Sequence, residues 1–170
     1  MDFQLNSAYA WSHELSLGYG INREVNETYD NQGFFLYGTL YKFKPVDHYL
    51  DFMVDASLGG FKAGTPENKW LQTAALSLGL REYFVPIESG QTHPYFLVTF
   101  GPSYLSEKKF GNNTQAKNVA FQTTFGAGVE TTIKKHEVDF NCRLIHYCNA
   151  GLWAPNEGTD IFVFSIGYLF

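Results

Sequence analysis

Eight stretches of this chain alternate large apolar residues with small or polar ones at period two, the side-chain rhythm of a β-strand with two unlike faces. They cover 9–21, 34–44, 48–60, 70–85, 93–104, 119–133, 136–149 and 160–170. Strands in water-soluble sheets run about five or six residues, and a tilted strand crossing a bilayer needs about nine to eleven. Most of the eight stretches reach ten or more. No run of 18 apolar residues occurs, so any membrane crossing must be made by strands rather than by a helix.

The two faces differ in the same way from stretch to stretch. In the first, Trp11, His13, Leu15, Leu17, Tyr19 and Ile21 oppose Ser12, Glu14, Ser16, Gly18 and Gly20. In the third, Leu50, Phe52, Val54, Ala56 and Leu58 oppose Asp51, Met53, Asp55 and Ser57. The sixth sets Phe121, Thr123, Phe125, Ala127 and Val129 against Gln122, Thr124, Gly126, Gly128 and Glu130, and the last ends on Phe162, Phe164, Ile166, Tyr168 and Phe170. A lipid-embedded barrel turns the bulky face outward around a narrow polar lumen. A soluble lipocalin-type carrier turns it inward, and periodicity alone does not separate the two.

Connection lengths do separate them. Those after the second, fourth and sixth stretches (Pro45 to Asp47, Pro86 to Thr92, Lys134-Lys135) are short. Those after the first, third, fifth and seventh (22–33, 61–69, 105–118 and 150–159) are long and rich in Asn, Gly and charge. Short turns at one end and long loops at the other fit an outer-membrane barrel, as does the terminal aromatic Phe170 on the outward parity. The expectation is an all-β, eight-stranded antiparallel up-and-down transmembrane β-barrel spanning 1–170 as a single domain, in the outer membrane of a Gram-negative bacterium.

Composition agrees with that reading. The charged fraction is low at 17% and the aromatic fraction high at 18%, and aromatics suit both lipid-facing and interfacial positions. A net charge of -5 repels phosphate backbones and argues against nucleic acid as a partner. The start, Met1 to Leu5, lacks the positive and apolar regions of a signal peptide, which on this fold reads as a mature form with a start Met. Cys142 and Cys148 would lie about 20 Å apart in one extended strand, too far to bridge. No cluster of cation-binding spacing occurs, so neither a metal nor an organic cofactor is implied.

The seventh stretch carries chemistry. Its even residues Val138, Phe140, Cys142, Leu144, His146 and Cys148 share the outward face, with about 6.7 Å between the Cα atoms of His146 and Cys148. Asp160 has the parity of the outward Phe162 and Phe164, and pairing the last two stretches symmetrically about Trp153 sets it opposite His146. A carboxylate, an imidazole and a thiol then line up at the outer rim, the order needed for nucleophilic catalysis. Polar groups on a lipid-facing wall are costly away from the rim, which makes such a cluster a candidate site.

The segment Ile145-His146-Tyr147-Cys148-Asn149-Ala150-Gly151-Leu152, followed by Pro155-Asn156 and Gly158, resembles the C-terminal signature of the PagL family of lipid A 3-O-deacylases. The resemblance covers roughly the last 35 residues. It implies a base at His146, a nucleophile at Cys148, an acid at Asp160, and oxyanion or substrate-binding groups at Asn149, Gly151 and Asn156. Cys148 stands where the family carries Ser, and Asp160 where it typically carries Glu. The implied activity is hydrolysis of the 3-linked acyl ester of lipid A in the outer leaflet. The partners it implies are lipid A or lipopolysaccharide and the surrounding membrane lipids or detergent, with a homodimer left open.

The remaining features have plainer readings. Cys142 lacks a polar neighbour on its face and reads as inert; His13, His48, His93 and His136 suit turns and interfaces. Glu14, Asp51, Asp55, Arg81, Glu130, Asp139 and Arg143 read as a salt-bridged lumen rather than a channel, because eight strands leave only side-chain width inside. The 105–118 stretch reads as a solvated loop, with contact of Lys108, Lys109 and Lys117 to lipid A phosphates as the lesser alternative. The rival to a deacylase is a non-catalytic, OmpX-like structural or adhesion barrel.

Overall fold

A computed structural model describes residues 13–23, 30–43, 49–64, 70–85 and 92–170. Eight long strands close an antiparallel barrel: β1 (Glu14–Arg23), β2 (Asp30–Phe43), β3 (Leu50–Lys62), β4 (Trp70–Tyr83), β5 (His93–Leu105), β8 (Val119–Ile133), β9 (His136–Cys148) and β10 (Thr159–Leu169). Each pairs with its neighbours in the chain, and β1 pairs with β10 from Glu14↔Leu169 to Ile21↔Phe162. The short strands β6 (Lys109–Phe110) and β7 (Asn113–Thr114) form a hairpin between β5 and β8.

The direction of the faces follows the alternation. Leu78 is 70% and Phe34 64% exposed, whereas Asp51 and Arg81 are fully buried. Such inversion of the water-soluble pattern only makes sense with hydrocarbon outside. A lipocalin arrangement is thereby excluded. Residues 9–12, Pro45 to His48 and Pro86 to Gln91 lie outside the described residues.

The lumen is built in two tiers. Toward the short-turn end, Arg81 Nη2 donates to Glu14 Oε2 at 2.9 Å and Arg81 Nη1 pairs with Glu130, while Lys42 Nζ donates to Glu130 Oε1 at 2.7 Å. Tyr83 donates to Asp51 at 3.0 Å, and Tyr95 to Asp139 at 2.8 Å. Lys42, on the inward face of β2, joins the expected salt-bridged set. Small residues opposite the phenols make room for them: a Cβ on Gly128 would collide with the Tyr95 ring.

Toward the long-loop end an apolar cluster joins neutral polar side chains such as Ser57, Thr73 and Gln122 in the lumen, in place of the charged set. Phe35, Tyr37, Phe61, Leu71, Leu105, Phe110, Ile145, Tyr147, Ile161 and Val163 form one buried cluster there. This corrects the expectation of a polar lumen throughout. Period-two parity tells which side a residue faces, and in this half large apolar residues stand on both sides.

Two connections differ from their sequence reading. β1 and β2 run on to Arg23 and Asp30, leaving only 24–29 between them, because the polar Asn22 and Asn31 pair across the ladder with buried side chains. The 105–118 stretch is not simply solvated: Gly111, at φ 59, turns β6 into β7, and Phe110 inserts into the apolar lumen cluster. A glycine at the first central position of a two-residue turn is a hairpin signal.

Candidate active site

The outward residues of β9 are set by a ladder that leaves no slack in register. β10 pairs Asp160 with His146 and Phe162 with Leu144, and β8 pairs Thr123 with His146 and Phe121 with Cys148. Behind this wall the alternate residues Ile145, Tyr147 and Ile161 are fully or almost fully buried. The Tyr147 hydroxyl donates to Thr73 Oγ1 at 3.1 Å and to Gln122 Oε1 at 2.9 Å, tying β9 across the lumen to β4 and sideways to β8. The strand that bears His146 and Cys148 is thus rigid at its back.

On the lipid-facing side, His146 Nδ1 and Asp160 Oδ1 are 2.6 Å apart, with both side chains partly exposed. A carboxylate on Nδ1 keeps the proton of the neutral ring at that nitrogen and leaves Nε2 as the acceptor. From the lumen side, Asn22 Nδ2 donates to the Asp160 carbonyl, which anchors the start of β10. Gly158, at φ +57, packs on the imidazole: a Cβ there would stand 2.8 Å from Cε1. Cys148 is a half-buried free thiol, the next outward residue along β9.

The loop from 149 to 158 closes over this group. Leu152 N donates to Asn149 O at 3.1 Å, and the central residues Ala150 (φ 52) and Gly151 (φ 75) both take the left-handed conformation, as in a type I′ turn. Asn149 is buried, and its Nδ2 donates to the carbonyls of Trp153 at 2.7 Å and Pro155 at 3.4 Å. Its backbone N–H donates to Asn156 Oδ1 at 2.8 Å. Asn149 therefore holds the loop together from the barrel side, with its donors already engaged. The amides of Ala150 and Gly151 have no acceptor among the described residues, since such a turn directs its central N–H groups outward.

The β6–β7 hairpin braces the same loop. Ala116 N donates to Pro155 O at 2.9 Å and Glu157 N to Thr114 O at 3.2 Å, while Thr114 N donates to Glu157 Oε2 at 2.6 Å. Gln115 and Asn156 form a β-bridge. The hairpin, Asn22 and Thr123 border this site without having been singled out in the sequence; Gly158 stood in the quoted motif, and the Gly111-Asn112 turn left a local signal.

The family model for lipid A 3-O-deacylase (PagL) matches residues 59–169, which include all six candidate residues. The chain belongs to the PagL family. A crystal structure of the outer-membrane enzyme PagL superposes with a TM-score of 0.59 at 16% identity, covering 94% of this chain and 98% of that one. Neisserial surface protein A matches with a TM-score of 0.63 at 13% identity over 94% and 95% of the two chains. The outer-membrane protein OprG from Pseudomonas aeruginosa matches with a TM-score of 0.54 at 9% identity over 95% and 97%. No curated protein sequence matches the chain. PagL membership and the barrel together place the protein in the outer membrane of a Gram-negative bacterium. The PagL fold itself is shared with barrels of other names, so the chemistry rests on the site.

Proposed function

We propose that this chain hydrolyses the 3-linked acyl ester of lipid A in the outer leaflet, with Cys148 as nucleophile, His146 as general base and Asp160 as the acid that orients it. The observation that carries the reading is the 2.6 Å contact between His146 Nδ1 and Asp160 Oδ1 on a wall that faces lipid. An ionisable pair at that position costs stability with no structural return, whereas it suits a reaction on a membrane lipid.

His146 Nε2 takes the Cys148 thiol proton, and Sγ adds to the ester carbonyl. The resulting oxyanion accepts hydrogen bonds from the outward amides of Ala150 and Gly151 and from Asn156, whose Oδ1 is tied to Asn149 N–H and whose Nδ2 is left as a donor. Collapse breaks the carbon–oxygen bond to the sugar, and His146 gives its proton to that oxygen. Water, activated by the same imidazole, then hydrolyses the thioester to release the fatty acid and restore the thiol. The substrate then enters laterally from the bilayer, with its headgroup at the loop end.

Mass spectrometry of lipid A from cells expressing the chain tests this against a non-catalytic barrel. Loss of one primary acyl chain is expected with the parent and with Cys148→Ser, and none with His146→Ala. Unmodified lipid A with both the parent and the serine variant leaves the structural reading standing.

A further inference from the structure

We infer that Thr123 is a substrate-binding residue of this site, and that it reads a hydroxyl on the acyl chain close to the scissile carbonyl. The inference rests on the deacylase reading for its substrate and adds a specificity element to it. Thr123 lies on β8, directly opposite His146 and on the far side of it from Asp160. It points outward and is half-exposed, between Phe121 and Phe125 on the same face of the strand. Its hydroxyl has no hydrogen-bond partner among the described residues. A hydroxyl with no protein partner, beside an imidazole and turned to the outside of the wall, is left to bond to a ligand seated there.

The position decides which part of the substrate it meets. The loop from 149 to 158 closes the site on the headgroup side, so a hydrocarbon chain attached at Cys148 runs down the wall, past Thr123. Below Thr123 the wall opens into a groove of about 610 Å³ lined by Phe125, Ala127, Cys142, Leu144 and Phe162, with the small pair Ala127↔Cys142 as its floor. Cys142 is about 13 Å from His146 along the strand. A medium-length acyl chain therefore fills the groove with its tail. Thr123, diagonal to Cys148 at about 7 Å, stands where the second or third carbon of that chain passes. The group it hydrogen-bonds is accordingly a hydroxyl at the β position of the acyl chain, while the sugar side of the ester lies at the opposite end of the site.

The test uses two amides of glucosamine with tetradecanoic acid, one plain and one β-hydroxylated, whose affinities for the whole barrel are measured by titration calorimetry in detergent micelles. One neutral hydrogen bond gives the hydroxylated amide an affinity about five- to tenfold higher. Thr123→Val, which keeps the branched shape, should abolish that preference by weakening the hydroxylated amide alone, and Thr123→Ser should keep it. No preference in the parent, a preference that survives Thr123→Val, or an equal loss on both amides overturns the inference. The matched esters are assayed in parallel. A parent that hydrolyses neither of them, or a His146→Ala variant that hydrolyses them as well as the parent, removes the deacylase reading, while the amide pair still decides the role of Thr123.

Discussion

Gly158 stands so close to His146 that a Cβ on it would lie 2.8 Å from the imidazole Cε1, and its φ of +57 is one that side-chain-bearing residues rarely take. Both facts bear on one substitution. Gly158→Ala costs about 1 kcal/mol in backbone strain and displaces the ring from the position that its carboxylate partner defines. Lipid A deacylation should fall by tenfold or more, because small errors in placement are costly in an oriented site. Thermal unfolding in detergent should move little. A variant with parental rates would show that the ring tolerates displacement and that its packing is incidental.

Asp160→Asn keeps the size of the side chain and removes its charge. An amide that turns its NH2 toward His146 Nδ1 moves the ring proton to Nε2 and takes away the base. A loss of about 10²- to 10⁴-fold in the rate of acyl release is expected, by comparison with such changes in other triads. Single-turnover measurement of fatty-acid release reads it directly. Asp160→Glu, which retains a carboxylate, should stay well above the asparagine variant; if the two fall together, charge on this partner is not what the site uses.

Much of this site was legible in the sequence because it depends on parity. Two-residue alternation fixed which face of β9 carries His146 and Cys148, and a symmetric pairing about Trp153 correctly set Asp160 opposite His146. The rest depends on contacts that parity does not encode. Phe35, Phe61 and Phe110 look like lipid-facing or loop residues until the width of the lumen at that level is known. Asn22 and Asn31 read as loop because they interrupt an apolar rhythm, yet the ladder continues through them above the hydrocarbon. The docking of the hairpin on Pro155 and Glu157 joins segments about 40 residues apart, and no local pattern foretells it.

Arg81 is the keystone of the charged tier, fully buried between Glu14 and Glu130, with its guanidinium 4.3 Å from the centre of the Tyr95 ring. Arg81→Met fills similar space but leaves two carboxylates without their shared cation. Removal of one partner from a buried ion set costs about 3–5 kcal/mol. A urea titration of the folded barrel in micelles should show a midpoint reduced accordingly, and the combination with Glu14→Gln and Glu130→Gln should recover most of it. If the single variant loses less than about 1 kcal/mol, water reaches these groups and the lumen is more open than its side chains indicate.

Asn149 tests whether the loop, and not only the triad, makes the site. Its side chain faces away from lipid and contacts no reacting group in the proposed scheme, yet it holds the Trp153 and Pro155 carbonyls from below while its own amide is capped by Asn156. Asn149→Ala leaves the Trp153 carbonyl without a donor and the Pro155 carbonyl with only the Ala116 N–H, a penalty of about 1–3 kcal/mol that falls on the loop alone. The turn that aims the Ala150 and Gly151 amides loses its anchor, while the His146–Asp160 pair on the adjoining strands keeps its own register. The expected signature is therefore a fall in kcat of about 10- to 100-fold with KM nearly unchanged, as for the removal of a donor that acts only on the developing oxyanion. Urea unfolding of the barrel should be little affected, because the strands do not depend on this loop. A rise in KM at constant kcat would instead assign the loop to holding the headgroup, and the oxyanion donors would have to be sought elsewhere on the rim.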